Sequence, residues 1–527
     1  MELLSKSIIG FRTGRAGGAT FRAEDPITAK ALEPEFISAL PEEVDEAAQL
    51  AAEAFTAFGR VTGKRKGQLL RLIAISLEAI HDLIVERAHL ETALPKARLE
   101  GELARTAQQL RLFASLVEEG SWVTARIEHA DLERKSNPKP DLRSMLRPLG
   151  PVVVFGASNF PLAFSVAGGD TASALAAGNP VIVKAHPAHP GTSELVGHVI
   201  RESIFACDLP EGIFSMLFDS GTSVGKALVM HPEVKAVGFT GSHAGGRALF
   251  DLAMARPKPI PVLAEMGSTN PVFVLPRALR ARRSQIASGL FTSFTLGAGQ
   301  FCTKPGLVFV PEGPDSASFI RDIETQVAES FPFFLLTSGI RDTFREATGE
   351  RNQEPHVRSV ASSQFSVPDV SSAVSAAFSE TDAATFLSKP DLAKEIFGPT
   401  TLVVRHATKK DLFEIVASLD GHLAAAVHGT AEDFEEFAEV IHLLEEKVGR
   451  IVCNGFPTGV EVSPAMVHGG PYPATSDSRY TSVGTQAILR FARPICFQDC
   501  PASLLPDELK DANPLKIWRY VDGQMKR

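Results

Sequence analysis

The sequence predicts an α/β protein built around a parallel sheet. From Pro151 onward, short runs rich in β-branched residues alternate with helical segments, and each run has the length of a strand. The runs are PVVVF (151–155), VIVK (181–184), FSMLF (214–218), VKAVGF (234–239) and IPVLAE (260–265). This alternation is typical of a parallel sheet covered by helices on both faces. A chain of 527 residues is also too long for one ordinary core, so two or three structural units are expected.

Helices are predicted on both sides of these strands. Apolar residues recur at helical spacing over 68–94, where Pro95 ends the pattern, and again over 101–120. A further helix over roughly 284–296 leads the chain to Cys302. Ligands of parallel sheets bind beyond the carboxyl ends of the strands, so the loops after the strands are the predicted location of the site.

Composition argues against several classes of function. The 53 Lys and Arg against 62 Asp and Glu give a net charge of −9, and no basic stripe alternates with aromatic residues, which argues against nucleic-acid binding. No apolar run is long enough for a membrane span, and the first residues lack the pattern of a cleavable signal. The five cysteines are odd in number and scattered, which favours a reducing compartment, so a cytoplasmic protein is expected.

Four loops carry residues that could perform chemistry. They are GASNFP (156–161), FTGSHAGG (239–246), AEMGSTNP (264–271) and LGAGQFCTKPG (296–306). The glycines of 239–246 suit a strand-to-helix turn that could approach a pyrophosphate, although the spacing is not G-x-G-x-x-G. Glu265 ends a strand, and Cys302 is either a nucleophile or a small core residue.

Two competing motifs are weaker. GTSVG at 221–225 matches the serine nucleophile elbow, but no acidic residue followed by histidine is recognisable downstream of Ser223. His186 and His189 are flanked by prolines and have no carboxylate or thiol partners in sequence, so a loop is predicted there rather than a metal site.

Seven motifs occur in an order that resembles the NAD(P)-dependent aldehyde dehydrogenase superfamily. They are SNFP, VIVKAHP, GFTGS, AEMGS, GQFCTKPG, EIFGP (395–399) and VCNG (452–455). The resemblance covers nearly the whole chain. Within the superfamily, residues 156–197 and HGGPYPATSD near the end are similar to bacterial 2-oxoglutarate semialdehyde (2,5-dioxopentanoate) dehydrogenases, which also resemble a bacterial fatty-aldehyde dehydrogenase.

The resemblance implies a thioester mechanism. Cys302 would attack the aldehyde carbon, and Asn159, with the backbone N–H of Cys302, would donate hydrogen bonds to the oxyanion. Glu265 would activate the water that hydrolyses the thioester after hydride transfer. The product is a carboxylic acid.

The resemblance also implies a nicotinamide cofactor. The residues that would bind it are Lys184, Gly241, Ser242, Gly246, Glu395, Phe397, Phe155 and Pro187. Members that prefer NAD often carry a glutamate three residues after the lysine, where it binds the ribose 2′-hydroxyl and repels a 2′-phosphate. Because Pro187 stands at that position, NADP is predicted to be accepted and preferred, with NAD as the other possible cofactor.

The substrate is the least constrained part of the prediction, because the usual P-F-G-G segment is replaced by SPAMVHGGPYPATSD. A keto-acid substrate needs a counter-charge, and placing 110–114 on the corresponding family helix puts Arg105 on the substrate tunnel. A solvated helix arginine is the alternative. The other residues predicted to contact substrate are Phe160, Phe164, Gln300 and Phe456.

The expected organisation has three parts and a tail. Residues 1–130 and 147–266 would form a Rossmann-like cofactor domain, and 267–473 an α/β catalytic domain. Residues 131–146, an extended charged arm, and 484–500, read as a strand, would form an oligomerisation element of a homodimer or homotetramer, and 501–527 a C-terminal tail. The substrate partner is a small aldehyde. Alternatives are a medium- or long-chain aliphatic aldehyde dehydrogenase, a serine hydrolase using Ser223, and a non-catalytic relative of the crystallin type.

Overall fold

Three large β-sheets organise the chain, of which a computed structural model describes residues 2–367 and 371–527. The α-helices are α1 (Pro41–Phe58), α2 (Gly63–Ala79), α3 (His81–Thr92), α4 (Lys96–Glu119), α5 (Gly169–Ala177), α6 (Pro190–Ala206), α7 (Ser223–Met230), α8 (His243–Met254), α9 (Pro276–Thr295), α10 (Pro314–Glu329), α11 (Ser338–Gln353), α12 (Ala383–Ser388), α13 (Lys409–Ser418), α14 (Ala431–Glu436) and α15 (Ala438–Glu445). The strands are β1 (Ile8–Ile9), β2 (Arg12–Thr13), β3 (Thr20–Phe21), β4 (Glu24–Asp25), β5 (Lys30–Ala31), β6 (Phe36–Ile37), β7 (Arg126–Glu128), β8 (Leu142–Pro148), β9 (Val152–Phe155), β10 (Val181–Lys184), β11 (Phe214–Leu217), β12 (Ala236–Thr240), β13 (Val262–Glu265), β14 (Val272–Val274), β15 (Leu307–Pro311), β16 (Phe333–Phe334), β17 (Arg358–Ser362), β18 (Ala373–Val374), β19 (Ala377–Asp382), β20 (Thr400–His406), β21 (His422–His428), β22 (Val448–Cys453), β23 (Ala492–Gln498), β24 (Arg519–Val521) and β25 (Gln524–Lys526).

The first sheet contains all five strands predicted from the β-branched runs. Its order is β13-β12-β9-β10-β11-β1-β2, and β13 through β11 are parallel. The chain continues from β9 to β10 and β11 on one side and then returns to β12 and β13 on the other. A crevice therefore opens at the carboxyl ends of β9 and β12, where the strand order reverses.

The second sheet has the order β17-β19-β20-β15-β14-β21-β22, and its strands are parallel except for β17. Both sheets have helices on their faces, and their strands are buried runs of valine, leucine, alanine and phenylalanine. The mixed α/β class with parallel sheets is confirmed. The domain boundaries given above stay a prediction.

A third, smaller sheet has the order β23-β8-β7-β24-β25. In this sheet β8, which contains the end of the predicted arm, pairs with β23, and β7 pairs with β24 near the C-terminus. Residues 484–500 are only partly strand, because 485–491 form a 3-10 helix before β23. Residues 501–527 were expected to form a tail, but in the structure they pack on this sheet. Strand β24 pairs with β7, and Leu509 and Ile517 are buried against Val123 and Ile127. Its apolar residues are too few and too scattered to predict this packing from periodicity.

The helix predicted over 68–94 is divided into α2 and α3. Ile80 has φ −112° and ψ 27°, outside the helical region, and it separates the two segments. Helix α4 begins directly after Pro95, as expected for a residue that cannot donate a backbone hydrogen bond. Its length brings one face past the carboxyl end of β9.

Neither a membrane-spanning helix nor a metal-binding cluster occurs among the described residues. Within 2–367 and 371–527, no helix combines the length and hydropathy needed to cross a bilayer. No group of three or more His, Cys, Asp or Glu side chains in the same residues is arranged to hold a metal ion.

Candidate active site

Cys302 follows α9 in a loop with a tightly determined backbone. The three residues 297–299 have positive φ angles of 58°, 59° and 68°. A Cβ atom on Gly299 would lie 2.3 Å from the carbonyl of Gly398, so this close approach requires glycine. Asn270 donates a hydrogen bond of 2.8 Å from Nδ2 to the backbone oxygen of Cys302. The turn that precedes Cys302 and the hydrogen bond to its backbone oxygen thus fix the position of the cysteine.

The Cys302 thiol lies beside a histidine and is influenced by three charged groups. Its Sγ is 3.5 Å from Nε2 of His468. Burial, together with the carboxylates of Glu265 and Glu395, raises the pKa of the thiol to about 12, while the Arg105 guanidinium opposes this rise. Burial lowers the pKa of His468 to about 3, so its imidazole is neutral near pH 7. The thiol must therefore lose its proton inside the site.

Asn159 is brought to Cys302 by the loop that follows β9. Its Nδ2 donates a hydrogen bond of 2.9 Å to the backbone oxygen of Gln300, two residues before the cysteine. The side-chain amide has two N–H donors, so one remains for another acceptor. Asn159 is buried, and this hydrogen bond ties its loop to the cysteine loop.

Glu265 is the last residue of β13 and is covered by the segment around Thr475, with which it forms a bridge. Its Oε2 has no hydrogen-bond partner among the described residues. Burial raises the pKa of Glu265 to about 8, opposed by Arg490 and by a hydrogen bond from Ser482, while Asp170 adds to the rise. A carboxyl with such a pKa can act as a base near neutral pH.

Lys184 and Ser242 lie at the carboxyl edge of the first sheet. Lys184 Nζ donates a hydrogen bond of 2.7 Å to the backbone oxygen of Asp219, which leaves two of its N–H donors available. Ser242 caps α8 by accepting a hydrogen bond of 3.2 Å from the N–H of Gly245. A helix N-terminus at this edge favours a bound phosphate. Pro187 is half-buried in the loop after Lys184.

The glycines of this turn allow α8 to pack closely on the sheet. A Cβ atom on Gly241 would lie 2.6 Å from the ring of Phe239, and one on Gly246 would lie 2.7 Å from the side chain of Met266. Phe155 contacts Phe239 edge-on with 6.0 Å between the ring centroids. The observed close contacts are with protein side chains, and the pyrophosphate role of these glycines stays a prediction.

Glu395 offers an unused acceptor near the nucleophile loop. Its Oε1 has no hydrogen-bond partner among the described residues. Burial raises the pKa of Glu395, and the Lys304 ammonium opposes the rise. Lys304 Nζ donates a hydrogen bond of 2.8 Å to the backbone oxygen of Ile396, which joins the two loops. Phe397 is half-buried beside them. The free carboxylate oxygen of Glu395 and the free donors of Lys184 suit the hydroxyl and phosphate groups of a dinucleotide.

A cavity of about 200 Å³ adjoins Cys302. Its lining comes from one face of α4, from the loops after β9 and α9, and from the segment before β23. The lining residues are Arg98, Gly101, Glu102, Arg105, Phe160, Phe164, Phe301, Cys302, Thr303, Gly459, Val460 and His468. The structure thus brings the predicted residues Arg105, Phe160 and Phe164 to the nucleophile.

Arg105 is a half-buried cation in this largely apolar cavity. Its guanidinium carbon lies 5.0 Å from the ring centroid of Phe164. Its Nε and one terminal nitrogen have no hydrogen-bond partner among the described residues. Burial lowers the pKa of Arg105, opposed by Glu102, Cys302 and Glu461. Unsatisfied guanidinium donors in a cavity are a suitable partner for a carboxylate of a ligand.

Gln300 and Phe456 are not where the sequence predicts them, because neither is among the described residues that line the cavity. The Gln300 side chain is fully buried, and its Oε1 accepts a hydrogen bond of 2.9 Å from the N–H of Leu336. The Phe456 ring lies 4.7 Å from that of His428 and packs under Gly289, where a Cβ atom would be 2.4 Å from the ring. Both side chains support the fold, since each has its space filled by other residues.

Eight of the lining residues were not predicted, and those with charged, aromatic or imidazole side chains are Arg98, Glu102, Phe301 and His468. Three of them had a sequence signal. Arg98, Glu102 and Arg105 are spaced by four and three, which places them on one helix face, and Phe301 directly precedes Cys302. His468 belongs to the segment that departs from the family pattern, so only the fold could place it.

The alternative nucleophile Ser223 has no suitable partner. It begins α7, and its hydroxyl contacts Oδ2 of Asp219 at 3.4 Å. No histidine among the described residues has a hydrogen bond with Ser223. His186 and His189 stack with 5.5 Å between ring centroids, and Nε2 of His189 is hydrogen-bonded to the oxygen of Ala157 at 2.9 Å. These histidines are structural members of the loop after β10.

The chain is similar to known proteins over most of its length. The model of the "Aldehyde dehydrogenase family" matches residues 13–330. The chain is 47% identical over 525 residues to "Alpha-ketoglutaric semialdehyde dehydrogenase 2" of Azospirillum brasilense, covering 99% of this chain and 100% of that protein. It is 46% identical over 489 residues to "Alpha-ketoglutaric semialdehyde dehydrogenase" of Acinetobacter baylyi, covering 93% and 92%.

Solved structures share the fold at lower identity. Betaine aldehyde dehydrogenase from Staphylococcus aureus in complex with NAD+ has a TM-score of 0.81 and 18% identity, covering 95% of this chain and 96% of that chain. An oxidoreductase from Marinobacter aquaeolei has a TM-score of 0.79 and 21% identity, covering 94% and 99%. At these identities the likeness establishes the architecture.

Proposed function

The chain belongs to the aldehyde dehydrogenase family, and on that premise we propose that it oxidises 2-oxoglutarate semialdehyde to 2-oxoglutarate with NAD(P). 2-Oxoglutarate semialdehyde is the compound named α-ketoglutaric semialdehyde in its relatives. The observation that carries the choice of substrate is the buried, partly unsatisfied guanidinium of Arg105 in the cavity that contains Cys302. A medium- or long-chain aliphatic aldehyde would leave that charge without a partner, so the alternative substrate class is not favoured.

In the proposed reaction, Cys302 Sγ forms a bond to the aldehyde carbon after losing its proton. The positive charge of Arg105 favours the thiolate, and the free N–H of Asn159 would donate a hydrogen bond to the aldehyde oxygen as negative charge develops on it. Lys184, Ser242 and Glu395 would hold a nicotinamide cofactor, which would supply the acceptor for the hydride of the former aldehyde carbon. The carbon then remains attached to Cys302 as a thioester.

Glu265 is the proposed base for the second half of the reaction. Its unpartnered Oε2 takes a proton from a water molecule, which attacks the thioester carbon. The C–S bond breaks, the carboxylic acid leaves, and the thiolate sulfur takes the proton that Glu265 removed from the water. Burial of Glu265 makes its carboxylate a stronger base than an exposed one.

The first prediction concerns Arg105. We expect Arg105→Gln to lower kcat/KM for 2-oxoglutarate semialdehyde by about 10- to 100-fold, mainly through KM, because a charge-assisted contact is lost. Hexanal has no carboxylate, so its kcat/KM is expected to stay the same or rise. Initial rates of cofactor reduction with both aldehydes measure the difference. Arg111→Gln is the matched control, since Arg111 lies on the same helix and is exposed.

Two results would overturn this assignment. Equal losses with both aldehydes in Arg105→Gln would contradict a contact between Arg105 and the substrate carboxylate. They would not contradict the oxidation of aldehydes by Cys302. A wild-type preference for hexanal in kcat/KM would remove the proposed substrate itself.

We also propose that NADP is preferred over NAD. Lys184 retains free donors, and Pro187 carries no charge that would repel a 2′-phosphate. The second prediction is a lower Kd for NADP than for NAD in calorimetric titration of the protein. Pro187→Glu is expected to raise the Kd for NADP by about tenfold or more, with little change for NAD, because like charges would meet. A wild type that binds NAD more tightly would contradict the preference.

We propose a homodimer or homotetramer in the cytoplasm. Strand β23 lies at the edge of the small sheet and has free backbone groups available for pairing with another chain. All five cysteines are free, as expected in a reducing compartment.

A further inference from the structure

Arg98 lies between the two loops that carry Asn159 and Cys302. It is in the first turn of α4, and its side chain is 15% exposed. Its NH2 donates a hydrogen bond of 2.8 Å to the backbone oxygen of Asn159. The same guanidinium lies against the edge-on pair Phe160 and Phe301, with its carbon 4.9 Å and 4.8 Å from their ring centroids. One arginine therefore contacts the residue after Asn159 and the residue before Cys302.

Glu102, one turn later, holds the other end of the Asn159 loop. Its Oε1 accepts hydrogen bonds of 2.9 Å and 3.0 Å from the N–H groups of Leu162 and Ala163. Glu102 and Arg98 are 4.0 Å apart, close enough for each to favour the charged form of the other. Arg98 and Glu102, on one face of α4, thus hold loop 159–163 by hydrogen bonds. Arg98 donates to the first residue of the loop, and Glu102 accepts from its last two residues.

Arg98 has more contacts with the protein than Arg105 has. The rings of Phe160 and Phe301 contact each other edge-on and lie to one side of the Arg98 guanidinium, and its NH2 donates to the Asn159 carbonyl. Its NH1 lies beside Gly297, where an added Cβ atom would be 2.6 Å away, and has no hydrogen-bond partner among the described residues. Arg105 differs, because only Phe164 stacks on it and two of its nitrogens are without partners in the described part of the chain.

We propose that Arg98 is a positioning residue for the oxyanion site, which holds the Asn159 loop in register with the Cys302 loop while Arg105 binds the substrate. This assignment rests on the proposed roles of Asn159 and Cys302. It requires no carboxylate on the substrate, so Arg98 should matter equally for charged and uncharged aldehydes. That requirement separates the role of Arg98 from the role of Arg105.

The third prediction follows from this difference. Arg98→Ala is expected to lower kcat by about 10- to 100-fold for both 2-oxoglutarate semialdehyde and hexanal, because a displacement of roughly 1 Å in a reacting group has that effect. KM should change by less than about threefold, since ground-state binding is not the main loss. Arg98→Lys keeps the charge but not the planar stacking, so an intermediate kcat is expected. The Arg105→Gln variant is the comparison, with its loss confined to the charged aldehyde.

A second measurement distinguishes loop positioning from damage to the thiol. Alkylation of Cys302 by iodoacetamide forms no oxyanion, so its rate in Arg98→Ala should stay within about twofold of wild type if only the oxyanion site is disturbed. Arg111→Ala serves as the control for the helix. An alkylation rate that falls as much as kcat would overturn the proposal, because Arg98 would then act through the thiol.

A rise in KM for the charged aldehyde alone would also overturn it, since Arg98 would then be a substrate ligand. If Arg98→Ala does not fold, Arg98→Lys with the same two substrates decides the question. Failure of both wild-type substrates would instead contradict the proposed function, which keeps the two tests separate.

Discussion

Cys302→Ala is expected to lower kcat by at least about 10⁴-fold, because the bond that carries the reaction can no longer form. The thiol is placed by the turn at 297–299 and by Asn270, so no neighbouring group can substitute for it. The measurement is the initial rate of cofactor reduction at saturating aldehyde. Cofactor affinity should be unchanged, which shows that the variant is folded.

Cys496→Ala is the matched control for this variant, because Cys496 is exposed on β23 and lies in a different sheet. It should retain wild-type kcat. Turnover that survives in Cys302→Ala would contradict the thioester mechanism and return attention to other nucleophiles such as Ser223.

Glu265→Gln is expected to lower steady-state kcat by about 10²- to 10⁴-fold while leaving a first turnover. The amide cannot take a proton from water, so the thioester should accumulate after one equivalent of reduced cofactor per site. Rapid mixing with absorbance detection would record this burst. Mass spectrometry of the quenched protein would detect the acyl group on Cys302.

The pH dependence of the wild type tests the same base. Glu265 acts when deprotonated, and burial raises its pKa to about 8, so the active fraction falls as the pH decreases below that value. Where thioester hydrolysis limits turnover, kcat should fall about tenfold per pH unit below the pKa and level off above it. Glu265→Gln should lack this limb, and Glu312→Gln, an exposed residue after β15, should retain it.

A slow first turnover in Glu265→Gln, with no burst, would contradict the assignment of Glu265 to hydrolysis. It would place the carboxylate in the attack step instead. Glu265 titrates within roughly the range of pH 6 to 9. A wild-type kcat that does not vary over that range would show that Glu265 does not act as a base in the rate-limiting step.

The parallel sheets could be predicted because their strands are buried on both faces. VIVK and FSML are short apolar runs without alternation, and such runs between helical segments are typical of central parallel strands. The division of the helix at Ile80 had no such signal, since the apolar spacing continues through the break. The packing of residues 501–527 on the small sheet depends on distant partners that periodicity does not report.

The sequence predicted the site residues that belong to motifs at strand ends. It predicted less well the residues whose orientation depends on how distant segments pack. Arg105 and Phe164 line the cavity as expected, but Phe456, also next to a motif, packs on His428. The identity of a residue as phenylalanine does not indicate whether its ring lines the cavity or packs in the core. Arg98 was missed for a related reason, because an arginine on a helix is usually solvated and the contacts with Asn159, Phe160 and Phe301 that make it internal come from distant loops.

The burial of the Cys302 thiol has a consequence for the survival of the enzyme between turnovers. A thiol whose pKa is raised to about 12 remains protonated in the resting state, and hydrogen peroxide reacts with thiolates far faster than with thiols. The same surroundings that make attack depend on local deprotonation therefore shield the sulfur from sulfenic and sulfinic acid formation. Slower oxidation of this sulfur in the resting protein is therefore the expected consequence of its surroundings.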